Sequence, residues 1–157
     1  MLPAEAAAGF ELTKENPVAP SAVEQGKADS AHLRGDLATE LADGTDHFGA
    51  SSVNLLKFHG IYQQDDRDSR RAKNPDGTPK GKQHIFMVRT RIPGGRVSAK
   101  QFLAHLDICD RHANGTLRVT TRQGFQLHGV IKSHLKSAVR AINDTLLSTI
   151  SACGDVN

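Results

Sequence analysis

Tryptophan is missing from this 157-residue sequence, tyrosine occurs once, and aromatic residues make up only 4%. Such a composition gives little material for stacking nucleic-acid bases on aromatic rings. Cysteine occurs only at Cys109 and Cys153, too few for a disulfide framework and too widely spaced for a local metal knuckle. No apolar run approaches the roughly 18 residues that span a bilayer. The first residues also lack the basic and apolar regions of a secretory leader. A reducing, cytoplasmic setting without membrane attachment is the expectation.

The remaining composition is that of an ordinary globular domain, with 38% hydrophobic and 24% charged residues, and the length suits one core. The net charge of +3 conceals an asymmetry. Residues 1–50 hold three Lys/Arg against nine Asp/Glu, whereas residues 51–157 hold seventeen against eight. The second part is the candidate anion-binding region.

Residues 1–29, rich in Ala, Glu, Pro and Ser, read as a flexible arm. Residues 30–83 read as a helix, a strand and a charged loop. Ser30 is placed as the cap of a helix through Ala42, with Leu33, Leu37 and Leu41 on one stripe, and "VNLLKFHG" (53–60) as a strand. The stretch 63–83, with Asn-Pro, Asp-Gly and Thr-Pro, reads as loop with one helical turn around "DDRDSRR". From His84 the signals sharpen. "HIFMVRTRI" alternates Phe86, Val88, Thr90 and Ile92 against Met87, Arg89 and Arg91, the period of a strand. Ser98 and Gln101 form a capping box before a helix whose inner stripe is read as Phe102, Leu103, Leu106 and Cys109. Asn114-Gly115 ends that helix. Two strands within "TLRVTTRQGFQLHG" (116–129) follow, turning at Gln123-Gly124. Ser133 is placed as the cap of a second helix carrying Leu135, Ala138, Val139, Ile142, Leu146 and Ile150.

The order β-α-β-β-α is that of an α+β, ferredoxin-like split βαβ unit with its last strand missing. A right-handed crossover puts both helices on one sheet face. Phe86, Val88, Leu117, Val119, Phe125 and Leu127 then face the helices. Arg89, Arg91, Arg118, Thr120, Arg122, Gln126 and His128 face the other way. Guanidinium groups fixed on strands suit carboxylate, phosphate or sulfite-like oxyanions. Inside 84–140 only Asp107 and Asp110 are available to neutralise them. This free face offers no aromatic ring for base stacking, so no nucleic-acid partner is assigned, and a non-catalytic anion- or RNA-binding module is the alternative reading. Other motifs are weaker. "GTPKGK" (77–82) lacks P-loop spacing, Asp65, Asp66 and Asp68 lack an EF-hand's glycine and distal Glu, and no His pair has H-E-x-x-H spacing.

"KFHGIYQQDDRD" (57–68), "FMVRTRIPGG" (86–95), "GTLRVTTRQGFQLHGVIK" (115–132) and "ACGDVN" (152–157) together resemble the amino-terminal part of assimilatory sulfite reductases, haemoproteins of the nitrite/sulfite reductase family. The resemblance covers roughly 29–157 and makes 84–157 a truncated half domain of that family. It implies six-electron reduction of sulfite to sulfide at a sirohaem coupled to a 4Fe–4S cluster, with ferredoxin or a flavoprotein reductase subunit as electron donor. A part of a ferredoxin-dependent nitrite reductase is the sibling reading. By motif position, Arg118, Thr120, Thr121, Arg122, Gln126 and His128 resemble the segment that cradles the sirohaem carboxylates. Arg89 resembles the catalytic arginine that holds the substrate oxyanion. No metal ligand is assigned within the chain, because the cluster's cysteines are expected beyond residue 157. The 157 residues alone are therefore expected to be inactive. Tyr62 and Cys153 fall in motifs expected near the haem pocket without an assigned role.

Overall fold

The computed structural model describes residues 19–153. Its centre is the alternating segment. In β2 (His84–Thr90), Phe86, Val88 and Thr90 all lie at 0% exposure, so period-two patterning sets one face of the sheet inward. β3 (Leu117–Val119) and β4 (Phe125–Val130) form the expected hairpin, and β1 (Ile61–Asp65) completes a four-stranded sheet in the order β1-β2-β4-β3. All its neighbouring strands are antiparallel. Two helices cover the inner face, α5 (Ala99–His112) and α6 (Leu135–Asp144). The core joins Phe86, Val88, Phe125 and Leu127 from the sheet to Ile108 and Cys109 of α5 and Leu135, Ala138 and Ile142 of α6. Upstream lie α1 (Ala22–Ala28), α2 (Leu37–Leu41), α3 (Ala50–Leu56) and α4 (Arg67–Arg71). No helix among the described residues is long and apolar enough to cross a membrane.

The β-α-β-β-α order is present as read, but the sheet edge that seemed to lack a strand is filled from upstream by β1. Among the described residues after α6 there is a single bridge, with Arg91 N–H donating to Ser148 O at 2.7 Å. Several local expectations are corrected. Residues 53–60 are not a strand. Gly49 opens α3, Ser52, Leu55 and Leu56 are its buried positions at helical spacing, a tight 3-10 turn (Lys57–His59) follows, and Gly60 at φ 70 ends the run.

Nor does Ser30 cap a helix through Ala42. Ala31, His32 and Leu33 all have positive φ, and Ser30 Oγ accepts from Leu33 N–H while donating to Lys27 O. Only Leu37–Leu41 is helical there, although Leu37 and Leu41 still pack on the core. The arm of residues 1–29 contains a helix, α1, with its own capping box at Ser21 and Glu24. Its first 18 residues lie outside the described ones.

The capping box of α5 forms as read, but the helix is rotated. Its buried positions are His105, Ile108 and Cys109, while Phe102 (40%), Leu103 (63%) and Leu106 (39%) face outward. A polar pair lies on the buried side beside Ile108 and Cys109: His105 Nε2 meets Thr90 Oγ1 at 3.2 Å and its Nδ1 donates to Gln101 O at 2.8 Å. Burial lowers the His105 pKa and keeps the ring neutral, against a smaller opposing effect of the Gln101 hydrogen bond. Ser133 lies inside a 3-10 turn rather than capping α6, and α6 stops at Asp144. Leu146 at φ 64 and Ile150 therefore leave the helical stripe and are exposed. Val119 is 71% exposed because β3 is a short edge strand.

The loop between α2 and α3 is fastened by one buried cation. Lys132, at 4% exposure, donates to Asp43 Oδ1 (2.9 Å), Thr45 Oγ1 (2.8 Å) and His47 O, and lies over the Phe48 ring. Asp43 is held down at about 2, first by the Lys132 hydrogen bond and then by Thr45. Replacing Lys132 with Met removes a buried ammonium and its hydrogen bonds to Thr45, the His47 carbonyl and the exposed Asp43, and is expected to cost about 2 kcal/mol in urea unfolding. Because the folded Asp43 pKa lies below its unfolded value of 3.8, its contribution is present above about pH 4 and is lost as pH falls toward 2. That acid-side loss should flatten in the Met variant.

Candidate anion-binding site

The outer face of the sheet carries the positive charge. Pairing register sets Arg89 of β2 opposite Gln126 of β4, and Gln126 opposite Arg118 of β3. One row across three strands therefore reads Arg89, Gln126, Arg118. One step along, Gln126 Oε1 and His128 Nε2 are 3.3 Å apart. His128 is shifted down, first by burial and then by the Arg118 charge, and stays neutral.

β1 brings Tyr62 onto the same face opposite Met87, and the Arg89 guanidinium lies 5.3 Å from the Tyr62 ring centre. The face thus does hold an aromatic ring, contrary to the sequence reading. That ring already has a cation over it.

Arg89 is fixed from several sides. Its backbone N–H donates to Gly60 O at 2.8 Å, and its Nη1 donates to Ala152 O at 3.4 Å. Ser151 N–H in turn donates to Phe58 O at 2.8 Å, so the chain after α6 bends back against the 58–60 corner. Arg89 Nε is buried and makes no hydrogen bond among the described residues. A buried guanidinium nitrogen without an acceptor is costly and asks for one.

The β3–β4 turn completes the set. Thr120 Oγ1 accepts from Gly124 N–H at 3.0 Å, and Gln123 at φ 60 makes the reversal. The hydroxyl of Thr120 is thus occupied in holding the turn. Gly124 is not free at its apex either, since a Cβ there would lie 3.0 Å from Thr90 O. Arg89, Thr120, Arg122 and Gly124 line a hollow of about 290 Å³ together with Ser151 and Ala152. Arg118 and His128 line a second hollow of about 660 Å³, whose rim also carries Asp65, Asp66 and Asp68.

Of the residues singled out in the sequence, Arg89, Thr120 and Arg122 converge on one hollow, and Arg118, Gln126 and His128 continue from it across the sheet. Thr121 is exposed on the turn and lines neither hollow. The ion pairs of arginine and lysine among the described residues are Arg70–Asp65, Arg111–Asp107 and Lys132–Asp43. Arg89, Arg118 and Arg122 have none. Sequence reasoning missed Gly60 and the Ala152 carbonyl, which fix Arg89 from positions 29 and 63 residues away. Only the motif segments "KFHG" and "ACGDVN" marked them.

The chain thus carries a ferredoxin-like half domain whose open sheet face presents an arginine row without ion pairs among the described residues. Residues 79–145 match the family model of the nitrite/sulfite reductase ferredoxin-like half domain. The sulfite reductase (NADPH) hemoprotein beta-component of Xanthomonas oryzae pv. oryzae (strain PXO99A) is 49% identical over 136 residues, 86% of this chain and 24% of that protein. The protein of the same name from Xylella fastidiosa (strain M23) is 49% identical over 138 residues, 87% of this chain and 24% of its own. The solved structure of the Mycobacterium tuberculosis NirA protein shares the fold, with a TM-score of 0.70 at 24% identity over 92% of this chain and 27% of that one. Over residues 79–145 the chain carries the ferredoxin-like half domain of the nitrite/sulfite reductase family. It spans about a quarter of the length of the curated relatives it matches.

Proposed function

We propose that this chain supplies one wall of the sirohaem and sulfite site of a sulfite reductase haemoprotein acting in sulfate assimilation. The observation that carries this reading is the row Arg89–Gln126–Arg118, whose arginines have no ion pair among the described residues, with Arg89 Nε buried and unsatisfied. That donor set fits a macrocycle rimmed with carboxylates, since each guanidinium offers a planar fork to a carboxylate. In this reading Arg118, Arg122, Gln126 and His128 hold the sirohaem, with Thr120 and Thr121 at the turn beside it. When bound, sirohaem supplies the iron and the path by which six electrons reach sulfite. Arg89 holds the substrate oxyanion, and its fixed charge stabilises the negative charge that builds as an S–O bond breaks. Held by Tyr62, Gly60 and Ala152, it does so with little reorganisation. Neutral His128 offers a hydrogen bond without adding a further cation to the row.

The 4Fe–4S cluster does not fit the residues present. It needs four thiolates, and this chain has two cysteines. Cys109 is buried in the core with its thiol pushed up to about 11 by burial and by Asp110. The cluster therefore belongs to polypeptide other than these residues. The relatives' names specify NADPH, which favours a flavoprotein reductase subunit over ferredoxin as donor.

Titration of the chain with sirohaem, followed by its visible absorption, tests the site. Binding weaker than micromolar is expected, because half the pocket is missing. Arg118→Ala combined with Arg122→Ala should weaken it at least about 10-fold, which is 1.4 kcal/mol. Micromolar or tighter binding that survives the double variant would show that the carboxylates are held elsewhere.

A further inference from the structure

We infer that Asp46, His47 and His84 form a binding site for one Zn²⁺-like divalent cation, clipping the loop between α2 and α3 to the start of β2. None of these residues belongs to the arginine row or its hollows. His47 Nδ1 lies 2.8 Å from Asp46 Oδ1, and His84 Nδ1 lies 3.3 Å from both Asp46 oxygens. The imidazole centres are 4.9 Å apart with their planes 36° from parallel. One ligand atom from each residue falls within 4.8 Å of the others. A tetrahedral Zn²⁺ with bonds of about 2.0–2.2 Å holds its ligands roughly 3.3–3.5 Å apart. The present separations bracket that spacing, so small side-chain rotations bring all three onto one ion.

The site is also pre-organised without the ion. Asp46 Oδ2 accepts from the His84 backbone N–H at 3.1 Å, which sets the carboxylate against β2. Lys132 holds the His47 carbonyl, and Gln63 of β1 grips both Phe48 N–H (2.6 Å) and Phe48 O (3.3 Å). The loop is thus fixed from two sides independently of any metal. This is the support that ligand groups need to stay in register. Two imidazoles and one carboxylate favour Zn²⁺, Ni²⁺ or Cu²⁺ over Mg²⁺ or Ca²⁺. They leave one tetrahedral position for water, and the exposure of Asp46 and His47 gives the ion a way in.

Calorimetric titration of the chain with Zn²⁺ at neutral pH tests this. The expected result is one ion per chain with a Kd on the order of micromolar, about −8 kcal/mol. A rise in Tm of about 5 °C is expected at a hundredfold excess over Kd, with none for Mg²⁺ at the same concentration. His47→Ala, His84→Ala and Asp46→Asn should each weaken binding at least 10-fold. His47 is exposed, so its variant tests the site even if His84→Ala perturbs β2. His112→Ala should leave affinity unchanged, because the His112–His134 ring pair (5.8 Å) is the competing location. Absence of saturable binding up to millimolar Zn²⁺ would overturn the proposal. So would affinity that survives both His47→Ala and His84→Ala, or affinity abolished by His112→Ala.

Discussion

Replacing Arg89 with alanine should lower kcat/KM for sulfite by about 100- to 1000-fold. The host for this test is a full-length sulfite reductase haemoprotein whose matching segment is exchanged for these residues. The magnitude is that of removing one preorganised donor aimed at developing negative charge. It rests on how Arg89 is fixed: the ring of Tyr62 beneath it, the Ala152 carbonyl on Nη1, and a backbone bond to Gly60. The loss should fall mainly on kcat, because charge on the oxyanion grows as the bond breaks and ground-state binding changes less. Arg89→Lys should recover only part of it, since an ammonium keeps the charge but not the fork. Steady-state kinetics with a reduced dye as donor would decide it, provided the sirohaem absorption shows the variants fully loaded. A change of less than tenfold would remove Arg89 from the reaction and leave it a structural residue.

The second large effect is expected at Gly60. Its φ of 70 lies in the left-handed region, and a Cβ there would stand 2.3 Å from Thr149 O and 2.9 Å from Arg89 O. Both are backbone atoms, so neither can rotate away. Gly60→Ala combines a conformational cost of about 1–2 kcal/mol with an overpacking cost of about 1–3 kcal/mol, and about 3 kcal/mol is expected in urea unfolding. Gly77→Ala provides the comparison. It shares a positive φ of 82 but meets nothing within 4 Å, so it should carry only the conformational cost of about 1–2 kcal/mol. Equal losses at the two positions would show that the corner relaxes and that Arg89 is not held there.

Much of the half domain was legible because its local signals agree with its packing. β2 alternates cleanly, Ser98 and Gln101 cap α5 as their spacing dictates, and the β3–β4 turn falls at Gln123-Gly124. The arginine face was legible for the same reason: residues two apart on a strand share a side. What stayed hidden depends on long-range polar contacts. "IYQQD" does not look like a strand beside a core, because its inward Gln63 is satisfied by the Phe48 backbone rather than by apolar packing. The face that α5 buries includes His105, which meets Thr90, a pairing that hydrophobic periodicity cannot reveal. Ala31–Leu33 carry no glycine to announce their left-handed backbone. The Asp46–His47–His84 cluster joins a loop to a strand 37 residues away, so no short motif marks it.

The placement of β1 bears on how the molecule is made. The four strands among the described residues end by Val130, and the sheet edge is closed by a segment synthesised before β2 rather than after α6. Every strand partner is therefore synthesised before α6. Folding that proceeds from the N-terminal side during synthesis can then assemble the sheet without waiting for later polypeptide. The arginine row would stand fully formed on the nascent chain, ready as a template for whatever completes the other wall.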